Sequence, residues 1–136
     1  MKISENFELK EFTESSTAKL KGIANSPGMQ EVKAIENLVT KLLQPLREKY
    51  GKAMKINSGY RCSELNAAVG GVPTSQHVKG EAADIRTDNP RELFNLVRNS
   101  GLSFDQLILY PTFVHISFRS KDTNRNQVLY AKGVQP

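Results

Sequence analysis

The sequence predicts an α+β fold, a small antiparallel sheet packed against helices. One long segment, residues 29–51, carries apolar residues at helical spacing. Several short apolar runs alternate with polar residues, as strands do. These elements follow one another without the regular strand–helix alternation of a parallel sheet. The 136 residues fit a single domain spanning 1–136, and the 38% apolar content is enough for a core.

Taken in order, "NFELKEF" alternates and reads as a short edge strand. "STAKLKGI" reads as a helical turn stopped by Gly22, and "NSPGM" breaks the chain before the main helix. In that helix Val32, Ile35, Leu38, Val39, Leu42, Leu43 and Leu46 form one stripe, which is a packing face. Pro45 is expected to kink it or split off its last turn, and Gly51 to end it. "MKINSGY" reads as a strand running into a turn. "SELNAAVGG" reads as a short helix with Ser63 as N-cap and Gly70 at its end. "EAADIRT" is a strand. "NPRELFNLVRNSG" is a helix with Asn89 as cap, Pro90 in its first turn and Gly101 as its stop. "FDQLILY" and "FVHISFR" make an antiparallel hairpin across "YPTF", and "NQVLYAKG" adds a further strand.

The bulk composition excludes some functions. The longest apolar stretches fall far short of the roughly 20 residues of a membrane span. The start, "MKISENFELKEF", has no apolar segment of a secretory signal, so synthesis in the cytoplasm is expected, with an export route the sequence does not specify. The single Cys62 excludes an internal disulfide and reads as a small buried residue. The net charge of +5 suits an anionic partner, but the basic residues are scattered, so no nucleic-acid face is expected.

Only two histidines are present, His77 and His115. With Asp84 they make two imidazoles and a carboxylate, the donor set of a catalytic zinc site with one position left for water. Alternation puts Asp84 and His115 each on the opposite strand face from their apolar neighbours. A carboxylate inside "AADIR" needs an ion pair, hydrogen bonds or a metal. Each residue alone also has an ordinary reading, and the residues by themselves leave both open.

A resemblance narrows the choice. "SGYR" followed by "LN", then "SQHVKGEAAD", then "VHISF" resembles the zinc D-alanyl-D-alanine peptidases. The central pattern Ser-x-His-x-x-Gly-x-Ala-x-Asp is met at Ser75, His77, Gly80, Ala82 and Asp84. "PLREKYG" before "INSGYR", and "FDQLI" before the second His, resemble the phage-type branch, and the similarity runs from about Phe7 to Val128. It implies a hedgehog/DD-peptidase-like fold and a Zn2+ ion held by His77, Asp84 and His115. It also implies hydrolysis of peptidoglycan stem peptides at the bacterial cell wall or periplasm, as a D-alanyl-D-alanine carboxypeptidase or an endolysin-type endopeptidase. A monomer is expected. Arg61 is expected to bind substrate with its guanidinium fork. Ser75 and Gln76 are expected to orient His77 or to touch substrate. Gly80 and Ala82 are expected to leave room near the metal, and Tyr60 to pack in the core.

One part of the pattern is missing. Several relatives carry an acid three positions before the last His, where this chain has Thr112; the phage-type branch leads to expect an acid where this chain has Tyr110. Asp105 is the remaining acid on the hairpin and the candidate general base. Its direction depends on register: a two-residue turn at Pro111-Thr112 puts Gln106 on the side of His115, and a three-residue turn puts Asp105 there. Glu81 alternates away from Ala82 and Asp84. Tyr110 is a candidate for stabilising charge through its hydroxyl. These two departures keep a second reading open, a metal-bearing module of the same fold that binds wall peptides without cutting them.

Overall fold

The structure is a computed structural model that describes residues 1–136. The chain forms β1 (Lys2–Ser4), β2 (Phe7–Glu8), a 3-10 turn (Leu9–Phe12), α1 (Ser16–Lys21) and α2 (Met29–Leu38). A π-helical turn (Val39–Leu43) leads into α3 (Gln44–Tyr50), followed by β3 (Lys55–Ser58) and α4 (Ser63–Ala68). Then come β4 (Ala82–Arg86), α5 (Pro90–Arg98), β5 (Gln106–Leu109), β6 (Val114–Ser117) and β7 (Gln127–Tyr130). No helix is long and apolar enough to cross a membrane.

The α+β class stands, with two refinements. A two-stranded antiparallel ribbon, β1–β2, accompanies a five-stranded sheet in the order β3-β4-β6-β5-β7. In the larger sheet β7 runs parallel to β5, so that sheet is mixed rather than wholly antiparallel. The connection from β6 crosses the start of β5, where Asn126 N–H donates to Phe104 O and Gln127 N–H to Asp105 O. At the other end of the chain, "NFELKEF" is strand only at Phe7–Glu8 and then winds into the 3-10 turn. The turn buries both Phe7 and Phe12, and the Glu11 carboxylate accepts from Glu8 N–H.

Helices cover one face of the large sheet. Leu38, Val39, Leu42, Leu43 and Leu46 from the long helix meet Leu93, Phe94 and Val97 of α5 in one cluster of 21 buried residues. Ala83, Ile85, Leu107, Leu109, Val114 and Ile116 carry the sheet's side of that cluster. Pro45 acts as expected but at a distance. Its missing N–H and its ring disturb the preceding turn, and the chain absorbs this by widening Val39–Leu43, with Gln44 N–H reaching back to Val39 O. α4 begins one residue from expectation, with Cys62 rather than Ser63 at its N-cap. Cys62 is a free, half-buried thiol packed against the core, and Tyr60 is buried in it.

The other face of the sheet carries the chemistry. Asp84 pairs with His115 across β4–β6, and Ile85 pairs with Val114. Since Ile85 and Val114 are core residues, Asp84 and His115 must point the opposite way.

Candidate metal centre

His77 lies on a tight loop between α4 and β4. Ser75 O accepts from Val78 N–H, Gln76 O from Lys79 N–H, and His77 O from Gly80 N–H. Ser75 Oγ accepts from His77 N–H at 3.2 Å, so Ser75 shapes the loop that presents the imidazole. The His77 ring is 4% exposed, and its Nδ1 lies 2.7 Å from Gly59 O. A carbonyl only accepts, so Nδ1 carries the proton and Nε2 keeps its lone pair free. That bond fixes both tautomer and orientation, as the outer partner of a metal-binding histidine does.

The free Nε2 of His77 lies 3.4 Å from Asp84 Oδ1, and His115 Nδ1 lies 2.9 Å from the same oxygen. The two imidazole rings meet edge to face at 5.2 Å between centroids. One ligand atom from each of the three residues lies within 4.8 Å of the other two. Ligands of a tetrahedral zinc, each about 2.0–2.2 Å from the ion, stand roughly 3.3–3.6 Å apart. The donor set fits Zn2+; the 3.4 Å between His77 Nε2 and Asp84 Oδ1 matches that spacing, while the 2.9 Å from His115 Nδ1 is the closer approach of a hydrogen bond. Burial alone would raise the Asp84 carboxyl's pKa. The hydrogen bond from His115 and the close approach of His77 outweigh it and hold the group well below the usual carboxylate range. Asp84 is thus an anion at neutral pH, as a ligand must be.

Arg61 stands beside this cluster. Its Nη2 lies 3.6 Å from Asp84 Oδ2, its Nε donates to Ser58 Oγ and its Nη1 to Asn66 Oδ1. Burial pushes the guanidinium pKa down and the Asp84 charge pushes it back up. Asn66 is 2% exposed and also donates to Val72 O, so it locks the guanidinium to the loop ahead of His77. Arg61 N–H donates to His77 O, tying the two loops together. Asn25 completes the support: its amide donates to Thr13 O and Tyr60 O and accepts from Cys62 N–H. Ser58, Gly59, Asn25 and Asn66 were not singled out from sequence. Ser58, Gly59 and Asn66 sit inside "INSGYR" and "LN", where the signal lay; nothing near Asn25 advertises its role.

Other expected residues fall elsewhere. Gln76 donates to Glu81 Oε1 rather than to His77. Gly80 has φ +76°, and a Cβ there would lie 2.5 Å from Glu31 O of α2. Its glycine requirement therefore comes from the left-handed backbone and contact with a helix, not from room at the metal. Tyr110 N–H donates to Phe113 O, closing a two-residue turn at Pro111-Thr112. The Tyr110 and Phe113 rings stack at 4.4 Å. The same register pairs Ile108 with His115.

That register removes Asp105 from the centre and corrects the expectation of a general base there. Asp105 falls on the side of Leu107 and Leu109 and is fully buried. Arg125 Nη2 binds its Oδ2 at 2.8 Å, Arg125 Nε binds Oδ1 at 2.9 Å, and Arg119 Nε lies 3.2 Å from Oδ1. It anchors both ends of the segment that crosses from β6 to β7. Burial would raise its pKa, but the Arg125 hydrogen bonds and both cations hold it low. Its contribution to stability is therefore present above the unfolded value of about 3.9 and fades as pH falls through the lower folded value. Asp105→Asn is expected to cost about 2 kcal/mol in urea unfolding at pH 7. Bound zinc per chain should not change, and the gap from wild type should shrink on acidification. Unchanged stability with lost activity would return Asp105 to a catalytic role.

Two convergent imidazoles, a half-buried carboxylate and an adjoining guanidinium on the open face of a sheet define the class of site: a centre in an α+β fold that could hold a metal ion. A family model described as peptidase M15 matches residues 5–117, and the chain belongs to that family, the zinc D-Ala-D-Ala peptidases. No curated protein matches the chain.

Proposed function

We propose that the chain hydrolyses peptidoglycan stem peptides at the bacterial cell wall as a zinc-dependent peptidase, with carboxypeptidase-type cleavage at a terminal D-Ala-D-Ala favoured. The observation that carries this reading is the convergence of His77, Asp84 and His115 beside the braced fork of Arg61. Zinc held by the three ligands supplies a Lewis acid for a peptide carbonyl and brings the pKa of water to about 7. Gly59 fixes the tautomer of His77, and Ser75 holds its loop. Arg61 has Nε and Nη1 occupied by Ser58 and Asn66; Nη2, in ion-pair contact with Asp84 at 3.6 Å but without a hydrogen bond, is the nitrogen placed to receive a substrate carboxylate or carbonyl. A terminal carboxylate there favours removal of the last residue. Tyr110 lies on the strand face of His115, two positions beyond Ile108, and its hydroxyl is the group assigned to developing negative charge.

The test is digestion of purified sacculi and of a stem pentapeptide by zinc-loaded protein, read by mass spectrometry. Loss of a single terminal D-alanine is expected. Arg61→Ala should lower kcat/KM about 10- to 100-fold, chiefly through KM, the effect of losing one charge-assisted hydrogen bond. Arg61→Lys should restore little of it, because an ammonium lacks the planar fork. Tyr110 and Thr112, where relatives carry acids, together with the diversion of Asp105 to Arg125 and Arg119, favour the second reading, a zinc-bearing module that binds stem peptides without cutting them. Saturable peptide binding with no product would select it.

A further inference from the structure

The register of the large sheet lines up one residue from each of its five strands. Ser58 pairs with Asp84, Asp84 with His115, His115 with Ile108, and Ile108 with Leu129. All five therefore sit on the sheet face opposite the helices. The row changes character along its length. At the β3 end it is polar and cationic, with Arg61 donating to Ser58. In the middle it holds the metal ligands. At the β7 end it is aliphatic: Ile108 is half-buried and Leu129 is 36% exposed.

The flanks of the aliphatic end are also defined. On one side Gln106 Nε2 donates to Gln127 Oε1 at 2.8 Å, which leaves the Gln127 amide N–H2 and the Gln106 carbonyl available. On the other side stand the stacked rings of Tyr110 and Phe113. Tyr130, the neighbour of Leu129, turns the other way and packs on Phe94 of α5, with its hydroxyl accepting from Arg98. This anchors β7 and commits Leu129 to the open face. The matched family region stops at Ser117, the end of β6, so the strand bearing Leu129 and Gln127 lies outside it.

We infer that Ile108 and Leu129, bordered by Gln106 and Gln127, form a specificity subsite for an alkyl side chain on the amino side of the cleaved bond. The inference rests on the peptidase reading and adds direction and selectivity to it. Continuity with the metal centre identifies the occupant. A substrate whose carboxylate end is held at Arg61 must run from β4 towards β7, across the strands. Neighbouring strands are about 4.8 Å apart, so Leu129 lies roughly 10 Å from the His115 strand, the reach of about three extended residues. A bare dipeptide ends short of it. A residue two or three positions before the cut lies over Ile108 and Leu129. An alkyl chain with a polar tip fits best there, because its methylenes cover the two aliphatic side chains while the tip reaches the glutamine amides.

The experiment compares two acetylated peptides, Ac-Lys-D-Ala-D-Ala and Ac-Gly-D-Ala-D-Ala, on zinc-loaded wild type, Leu129→Thr and Leu129→Phe. Threonine keeps the β-propensity of the edge strand and removes most of the apolar surface, whereas phenylalanine keeps that surface. Each pair is read as kcat/KM and as a calorimetric Kd. Wild type should prefer the lysyl peptide about 10-fold, the effect of covering roughly two methylenes. Leu129→Phe should keep that preference, and Leu129→Thr should reduce it to within about 2-fold of unity, with zinc content unchanged in both. A preference that survives Leu129→Thr, or equal treatment of both peptides by wild type, overturns the subsite. Selective binding without product overturns the hydrolytic reading alone and upholds the subsite. Absence of both binding and product overturns the two together.

Discussion

Asp84→Asn is expected to weaken zinc binding by more than 100-fold, measured by competition against a chromophoric chelator. Changing an outer partner of a metal ligand typically costs 10- to 100-fold, and Asp84 is a ligand itself. The substitution is nearly isosteric, so packing is spared, but it removes the one anionic donor of the set. It also leaves Arg61, 3.6 Å away, facing two imidazoles with no negative charge between them. That cation then opposes a divalent ion it formerly tolerated. Hydrolysis should fall with zinc occupancy, and excess zinc should recover only part of it. Wild-type zinc affinity in Asp84→Asn would mean that Asp84 is not a ligand of the bound ion.

Gly80→Ala is expected to destabilise the protein by about 3 kcal/mol. Two effects add. A non-glycine residue at φ +76° carries left-handed strain of about 1–2 kcal/mol. The new Cβ would also lie 2.5 Å from Glu31 O and 3.2 Å from Glu31 C, atoms of a helix backbone that cannot step aside, and overpacking of this kind costs about 1–3 kcal/mol. Gly133 separates the two: its φ is +85°, but a Cβ there meets nothing within 4 Å. Gly133→Ala should therefore show only the strain, about 1 kcal/mol. Because Gly80 N–H donates to His77 O, the Gly80 variant should also bind zinc more weakly in its folded state. Equal melting shifts for the two variants would remove the contact with α2 from the account.

The two predictions draw on different kinds of information. The ligands were legible through the resemblance rather than through the residues alone: the Ser75-to-Asp84 pattern and the later "VHISF" point to His77, Asp84 and His115, which by composition and alternation stay open to ordinary roles. The long helix and the strands were legible too, since their periodicity is local: Leu38, Leu42 and Leu46 repeat along one face, and Asp84 and His115 alternate with core neighbours. The role of Gly80 was not legible, because it depends on Glu31, which is distant in sequence. Neither was the bracing of Arg61 by Asn66, nor the fixing of His77 by Gly59 O, although "INSGYR" and "LN" mark where those partners lie.

The hairpin shows the boundary most clearly. The sequence by itself determined that "FDQLILY" and "FVHISFR" pair and that the long helix carries one packing stripe, and its resemblance to a known family pointed to three side chains as a zinc-type donor set. Only the tertiary structure decided that the turn at Pro111-Thr112 holds two residues, which directs Asp105 to Arg125 and Arg119 and sets Ile108 beside His115. It also decided that β7 returns parallel to β5 and places Leu129 at the end of the row. The reason is that strand side chains alternate with a period of two, so a slip of one residue exchanges the faces at almost no local cost. Composition and periodicity are blind to that choice. It is settled by which face finds the core and by where the buried Asp105 carboxylate finds its cations.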